Sequence, residues 1–460
     1  MNAAGIADRV RAAGVVGAGG AGFPTHVKLA ARAEIYLVNG AECEPLLKVD
    51  QQLAAKYAAD LSRGLALAME STGAREGIVA LKAKYAPAIE ALTPLLPDNV
   101  RIHILKDVYP AGDEVVSIWM ATGRRVPPGG IPLDIGVVVS NVQTLINVAR
   151  AVDSDAPVTH RTLTVGGAVA APITVSVPVG TPLREVVALA GGPTVEPAAY
   201  INGGPMMGRL LDNLDEPVTK TTGGIIALPE KHLLIQRRRR SMQAELRIAR
   251  TVCEQCRLCT ELCPRHIVGH ELPPHLIVRA VNYNSVGQPT VLLSALTCSE
   301  CAVCEAWSCP VGISPMRINR SLKAQFRASG GKYAGTLRPA DPMAAHRLVP
   351  ISRLIPRLGL GDYNKKAPLD ETPCRPARVA LKLRQHLGAP AQAVVVAGDR
   401  VRLGQPVAEI AEGALGARVH ASIDGIVESV DAEAIYLRAL HEPAQSPGER
   451  GGNEARETRP

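Results

Sequence analysis

The sequence predicts a multi-domain α/β protein assembled around a small redox module, and three observations predict it. Its 460 residues exceed what one hydrophobic core organises and suggest about three to four domains. The first third of the chain alternates short apolar β runs with helical stretches, the pattern of a parallel sheet covered by helices. Between Cys253 and Pro310 two cysteine quartets stand in near repeat: Cys253-x2-Cys256-x2-Cys259-x3-Cys263-Pro264, and Cys298-x2-Cys301-x2-Cys304-x4-Cys309-Pro310.

Three thiolates at i, i+3 and i+6 on a tight loop serve one iron–sulfur cubane, and the fourth, carried off by the following turn, reaches the other cluster. That crossing assigns one [4Fe-4S] cluster to Cys253, Cys256, Cys259 and Cys309, and a second to Cys298, Cys301, Cys304 and Cys263. The alternative is a pair of structural zinc sites. Zinc closes its shell with two spaced pairs of ligands and has no use for a third Cys-x2 step or for a proline after the fourth cysteine. The second quartet carries one extra residue before its last cysteine, in the stretch that holds Trp307. A module of this kind moves single electrons and needs a source and a sink.

Composition narrows the partners. The net charge is +8, from 51 basic and 43 acidic residues, and part of the excess sits in Arg237, Arg238, Arg239 and Arg240. No aromatic residue interleaves that run and no groove-reading motif flanks it, so nucleic acid is not the predicted partner. A solvated linker face, or a dock for an acidic redox partner, is the expectation. Eight of the ten cysteines belong to the quartets, leaving Cys43 and Cys374. This usage fits a reducing compartment and not a disulfide scaffold. No stretch of about 18 uninterrupted apolar residues predicts a membrane span, and the N-terminus lacks the apolar core of a secretory signal. A cytoplasmic protein without direct membrane insertion is expected.

Along the chain, residues 3–13 predict a short helix. Gly14-Val-Val-Gly17-Ala18-Gly19-Gly20-Ala21-Gly22-Phe23-Pro24-Thr25 follows, a glycine-rich turn that lets backbone approach a bulky ligand and point amides at an anion. Lys28 stands at the start of the next helical stretch. The strand Ile35 to Val38 runs into Asn39-Gly40-Ala41-Glu42-Cys43-Glu44-Pro45. A helix is predicted from Gln51 to about Glu70, a strand over 77–82, a helix over 86–92, and strands over 100–105 and 137–139. Ligands of such sheets sit at the carboxyl ends of the strands. The loops Tyr109-Pro110-Ala111-Gly112-Asp113-Glu114 and Ser140-Asn141-Val142-Gln143-Thr144 fall there.

These motifs, in this order, resemble the FMN-binding flavoprotein subunit of respiratory complex I and the C subunit of Rnf electron-transport complexes. Over nearly the whole chain, including Cys-Glu-Gln-Cys-Arg-Leu-Cys-Thr-Glu-Leu-Cys-Pro at 253–264, the sequence is similar to the cobalamin reductases of propanediol-utilisation microcompartments. The resemblance implies a complex I flavoprotein-like α/β domain over 1–155. In it Gly17, Gly19, Gly20, Lys28, Asn39, Gly112, Asp113, Glu114, Asn141 and Thr144 bind non-covalent FMN. Amides and Lys28 would serve the phosphate, and Asn and Thr the ribityl and ring polar atoms. It also implies Glu42, Glu44 and Phe23 at the nicotinamide of NADH. Two positions depart from the complex I pattern: Ala18 stands in place of Arg, and Ala41 in place of Asp.

From Arg161 the strand–turn–strand–helix–strand pattern predicts a small β-grasp over 160–212, which resembles the soluble-ligand-binding module that follows the flavin domain in these families. Its loop Asn202-Gly203-Gly204-Pro205-Met206-Met207-Gly208 reads equally as a turn or as a ligand-facing loop. The two-cluster, bacterial ferredoxin-like module spans 246–328, and 328–372, rich in Pro, Arg and Gly, is expected to be an extended linker. Residues 373–440 resemble the barrel-sandwich of biotinyl and lipoyl carriers. The hairpin tip reads Ser422-Ile423-Asp424-Gly425, without the attachment lysine, so the barrel is expected to dock or pack. The tail 441–460 is too polar to order itself. Cys43 and Cys374 are expected to be unreactive thiols, and His26 and His420 structural groups.

The resemblance implies electron transfer from NADH through FMN and two [4Fe-4S] clusters to a corrinoid, which is reactivated for an adenosyltransferase inside a bacterial microcompartment. Two alternatives remain open from the residues alone. One is an NADH:ferredoxin subunit of an Rnf-type complex, against which stands the position of the barrel, last instead of first. The other is a non-enzymatic electron-carrier adaptor to an iron–sulfur microcompartment shell protein.

Overall fold

Four parallel strands, Ile35–Asn39, Glu76–Lys82, Val100–Leu105 and Val137–Asn141, form the first sheet. In this computed structural model, which describes residues 3–283 and 289–440, their spatial order is third, second, first, fourth. Two crossovers step one way and the last steps the other, so the topological switch lies between Ile35–Asn39 and Val137–Asn141. Asn39 and Asn141 are register partners at the carboxyl ends of those two strands. The strands are apolar on both sides because both faces are covered. Tyr36 and Val38 pack under the helices Ala58–Thr72 and Val142–Ser154, and Ile35 and Leu37 under Glu114–Thr122. Gly64 lets the first two helices touch: a Cβ there would lie 2.0 Å from the Leu145 carbonyl oxygen.

The helix expected from Gln51 to Glu70 is two helices, Val49–Lys56 and Ala58–Thr72, broken at Tyr57. The Tyr57 ring receives the Arg150 guanidinium at 4.5 Å, a cation–π contact.

The second sheet has six strands, ordered 369–370, 173–178, 160–167, 224–229, 198–202, 209–210. Gly224–Pro229 lies beyond the expected limit at 212, yet it sits inside the sheet, parallel to His160–Gly167. The Pro and Gly residues flanking it hid a fully buried strand. Residues 328–372 are a strap and not an extended linker. Val349–Pro350 pairs with Val108–Tyr109, a helix follows at Ile351–Arg357, and Leu369–Asp370 joins the second sheet. Leu348, Val349, Ile351, Leu354, Leu358 and Leu360 are all buried. Those apolar residues anchor a segment whose Pro and Arg content suggested exposure.

Within the arginine run Arg238 and Arg240 turn inward, while Arg239 stays exposed. Arg238 is largely buried and donates to the carbonyls of Pro205, Met206 and Gly208 at 2.5, 3.3 and 3.2 Å. Arg240 donates to Gly312 at 3.1 Å. The run fastens the β-grasp loop and the cysteine module together, since a guanidinium's fork suits several carbonyls at once.

The C-terminal barrel consists of a four-stranded sheet (378–382, 434–439, 425–430, 400–401) and a three-stranded one (392–393, 406–409, 419–420). Its hairpin tip is docked: Ser422, 1% exposed, donates to Val179 O at 2.5 Å. The backbone of Leu387 donates to Gly22 O at 3.1 Å, so the barrel braces the glycine-rich turn. The expected tail at 441–460 lies outside the described residues.

Lys220 locks three domains. Its Nζ donates to Gly14 O and Arg418 O, each at 2.7 Å, and its amide donates to Gln385 Oε1 at 3.0 Å. Burial lowers its ammonium to about 7. His386 and His420 beside it are also lowered, first by burial, and stay neutral above pH 7. Between pH 7 and the ordinary lysine value the unfolded chain binds a proton that the folded chain does not, so stability rises with pH across that window. From pH 7 to 9 the wild type should gain about 2 kcal/mol relative to Lys220→Met, measured by anaerobic thermal unfolding of both proteins. Parallel pH profiles would show that Lys220 keeps its charge in the fold.

Candidate functional site

The glycine-rich turn closes on itself at the switch point. Gly17 N donates to Phe23 O at 2.9 Å, which leaves Gly19, Gly20 and Ala21 at an exposed crest. The crest leans on the opposite strand end. Ala18 N donates to Thr144 Oγ1 at 2.9 Å, and a Cβ on Gly19 would lie 3.1 Å from the Asn141 side chain, whereas one on Gly20 would meet nothing. Asn141 caps the helix Val142–Ser154 by accepting from Gln143 N at 2.9 Å, and Asp113 caps Glu114–Thr122 by accepting from Val115 N at 3.0 Å. Asn39 Nδ2 donates to Gly112 O at 2.9 Å. Lys28 Nζ donates to Val139 O at 2.8 Å, pairs with Glu114 at 3.7 Å and stands 5.9 Å from the Phe23 ring centroid. The residues named from sequence for the flavin are thus gathered at the carboxyl ends of two adjacent strands. Open glycine backbone and two helix N-termini in a crevice fit a phosphorylated planar cofactor.

Behind the crest lies a buried charge network that sequence reasoning missed. Asn141 Nδ2 donates to Asp50 Oδ2 at 2.7 Å, and Asp50 N donates to Glu42 Oε2 at 3.1 Å. Burial raises both carboxyl groups, Glu42 further because Asp50 is beside it. Arg161, 5% exposed, enters from the β-grasp and donates to Ala18 O and Thr222 O. The signal was present in its phase: Arg161 lies on the same face of the strand as Leu163 and Val165, both fully buried. Cys43 lines the same region near Gly112, its thiol pushed up to about 12 by burial.

Glu44 has a different set of partners. Its carboxylate accepts from Met206 N and Met207 N, both at 2.8 Å, and lies 3.4 Å from Tyr109 Oη. The turn 202–208 is therefore a clamp on Glu44, and Gly204 is required there, since its Cβ would lie 2.1 Å from Glu44 Oε2.

The two cysteine loops share one backbone design. Gln255 and Arg257 in the first, Glu300 and Ala302 in the second, all have φ between 52° and 67°. These left-handed residues at equivalent positions coil each loop around its sulfurs, at some cost for non-glycine residues. The extra residue of the second quartet is absorbed as a π-helical turn over Cys304–Ser308, the usual form of a one-residue insertion in a helix. Cys253, Cys256, Cys259 and Cys309 line one cavity together. The Cys259 thiol is raised chiefly by burial and then by Cys309, Cys256 and Cys253. Cys263 lies among the other three, acting on both Cys301 and Cys304. The last cysteine of each loop therefore faces the other loop's trio.

The sulfurs also have donors: Glu300 N to Cys298 at 3.4 Å, Ile313 N to Cys309 at 3.3 Å and Gln255 Nε2 to Cys253 at 3.2 Å. Asn319 is fully buried, with neither amide atom in well-aligned hydrogen-bond geometry, and its side chain lies against the Cys298 thiol, which it acts to lower. An orphaned amide beside a cysteine fits a sulfur-rich cluster that would accept from it. Among the described residues no three His, Cys, Asp or Glu side chains close on a single metal ion.

Two contacts join the halves of the site. Tyr109 Oη donates to Cys301 O at 2.8 Å, and Arg265, two residues after Cys263, pairs with Asp113 at 3.0 Å. Cys301 and Cys304 pack in a core shared with Tyr109 of the flavin domain, Cys263 and Cys298 are buried in the cysteine module's own core, and Cys256 is exposed.

The fold and these sites define an oxidoreductase with a flavin-type α/β domain and an iron–sulfur module. Comparisons agree. Residues 10–150 match the Nuo51 FMN-binding domain, 162–210 the SLBB domain, 252–314 a 4Fe-4S dicluster domain and 362–440 the RnfC barrel sandwich hybrid domain. The chain belongs to the PduS family: it is 63% identical over 94% of its length to "Cobalamin reductase PduS" of Salmonella typhimurium strain LT2, covering 96% of that protein. It is 62% identical, over the same shares, to its namesake in Citrobacter freundii. The C subunit of the Na(+)-translocating ferredoxin:NAD(+) oxidoreductase complex of Acetobacterium woodii is 38% identical over 58% of this chain and 59% of its own. Among solved structures, an H2-reduced NAD+-reducing [NiFe]-hydrogenase overlaps 74% of this chain and 65% of its own at 25% identity and a TM-score of 0.45.

The clamp on Glu44 gives a test. Glu44→Ala strands two amides and is expected to destabilise the protein by about 2–3 kcal/mol and to speed proteolytic cleavage at the exposed Met207. Unchanged cleavage would show that the turn is held by Arg238 alone.

Proposed function

We propose that this protein carries electrons from NADH through FMN and two [4Fe-4S] clusters to a corrinoid, as the names of its relatives suggest. The observation that carries the reading is the Tyr109 to Cys301 hydrogen bond, which puts a cysteine loop against the crevice where the flavin candidates gather. Bound FMN supplies conversion of a two-electron hydride into single electrons, and the clusters supply single-electron transport.

The chain's own residues supply the rest. Gly17, Gly19 and Gly20 offer backbone amides and Lys28 a cation to the phosphate. Asn39, Asn141 and Thr144 orient ribityl and ring atoms, with Gly112, Asp113 and Glu114 closing the far wall. Phe23 offers the stacking surface for nicotinamide and Glu42 the nearby acid, while Glu44 acts through the turn it holds. Cys263, Cys298, Cys301 and Cys304 hold the cluster nearer the flavin, and Cys253, Cys256, Cys259 and Cys309 the one nearer the surface. The exposed Cys256 supports exit of electrons from that second cluster. No described helix is long and apolar enough to cross a membrane. A propanediol-utilisation microcompartment, with an adenosyltransferase as the consumer of reduced corrinoid and an iron–sulfur shell protein as a neighbour, completes the reading.

Anaerobic purification with iron, sulfide and flavin assays, followed by NADH-driven reduction of aquocobalamin, tests it. About eight irons and one FMN per chain with corrinoid reduction are expected. NADH oxidation that ignores corrinoid would favour the ferredoxin-linked alternative, and clusters without flavin the adaptor. Cys309→Ser is expected to damage the cluster of the first loop, to keep NADH-dependent ferricyanide reduction and to lower corrinoid reduction at least tenfold. Loss of the second loop's cluster instead would refute the crossed ligation.

A further inference from the structure

The switch point is completed by a residue of the next domain. Arg161 is the second residue of the β-grasp strand His160–Gly167; its guanidinium reaches the flavin domain, donating from Nη2 to Ala18 O at 2.9 Å, while Nε donates to Thr222 O beside its own sheet at 2.6 Å. Ala18 is thereby held at both ends, its amide by Thr144 Oγ1 and its carbonyl by Arg161. The crest that follows, Gly19 to Ala21, is open. A guanidinium 5% exposed needs counter-charge, and the carboxylates that act on it are Asp50 and then Glu42. Lys48 also faces Glu42, and Asn141 donates to Asp50. One cation from another domain thus stands behind the glycine backbone offered to the cofactor, at longer range from Asp50 and from Glu42, whose carboxyl burial pushes up to about 8.

We propose that Arg161 is a positioning residue of the flavin site, which fixes the glycine crest from the β-grasp domain and offsets the charge of Asp50 behind it. This rests on the reading that FMN occupies the switch point. Reducing the flavin adds negative charge, which a nearby cation favours and uncompensated carboxylates oppose. Through Arg161 the β-grasp, otherwise a spacer, has a part in how tightly FMN binds and how readily it is reduced.

The test uses the full chain, purified anaerobically with its clusters, stripped of flavin and titrated with FMN. Affinity, flavin midpoint potential and iron and sulfide content are read for the wild type, Arg161→Gln and Arg161→Lys. Arg161→Gln is expected to bind FMN at least tenfold more weakly and to favour oxidised over reduced flavin by a further tenfold, about 30 mV more negative for a two-electron couple, with iron and sulfide unchanged. Arg161→Lys keeps the charge but not the fork across two carbonyls, so it should bind weakly while holding the wild-type potential. Wild-type affinity and potential in Arg161→Gln overturn the proposal, as does a Lys variant whose potential shifts as far as that of Gln. If Arg161→Gln loses its clusters, the Lys variant decides, and wild-type affinity there overturns the proposal. A wild type that takes up no FMN refutes the flavin reading itself and the proposal with it.

Discussion

The crossing of two cysteine loops is the constraint on which the rest of this structure depends. Cys309 lines one cavity with Cys253, Cys256 and Cys259, and under the crossed ligation proposed above neither loop can be displaced without opening the other. The surroundings serve that geometry. Glu245, fully buried, accepts from Ser314 N at 2.5 Å just after the second loop. Arg240, at 3.4 Å, supplies the cation that makes a buried carboxylate tolerable there. The π-helical turn lets Cys309 arrive despite its extra residue. Left-handed residues at matching positions store strain that a bound cluster would offset, as expected where function and not stability sets the backbone.

Around that module the domains share an apolar core, in which Tyr109, Ile201, Leu228, Val303, Met316 and Leu354 pack together, and buried polar contacts add to it. Arg238 reads the carbonyls of the β-grasp turn, Glu44 caps the same turn from the flavin domain, Lys220 bridges the flavin domain and barrel, and Arg265 meets Asp113. Each joins a buried polar group to backbone or to a single opposite charge, and is costly to break. This explains a chain with few aromatic residues that still fixes five segments in one arrangement. It also gives the barrel a purpose without an attachment lysine: its Leu387 amide and Ser422 hydroxyl brace the glycine-rich turn and the β-grasp.

Much of this was legible in the sequence because local periodicity and local chemistry agreed. The helix at 86–92 and the strand at 100–105 fall where the pattern sets them, and Cys253, Cys256, Cys259 and Cys309 line one cavity. What was not legible depends on partners distant in the chain. Gly224–Pro229 is bounded by glycine and proline and alternates with nothing, so only its neighbours in the sheet make it a strand. The strap 328–372 hides its buried leucines among arginines and prolines. Arg238 has the composition of a surface run and the surroundings of a core residue. The flavin candidates Asn39 and Asn141 could be named from their motifs, but their register pairing, and the arrival of Arg161 between Ala18 and Thr222, belong to tertiary structure.

The account stands on two clusters close enough to exchange electrons, each completed by a cysteine from the other's loop. Electron paramagnetic resonance of the dithionite-reduced protein reads this directly. Two reduced [4Fe-4S] centres whose signals are broadened and split by magnetic interaction, simplifying to one undisturbed signal when half-reduced, are the predicted result. A spectrum of isolated, non-interacting centres, or a protein silent in resonance that holds zinc in those cysteines, would contradict it.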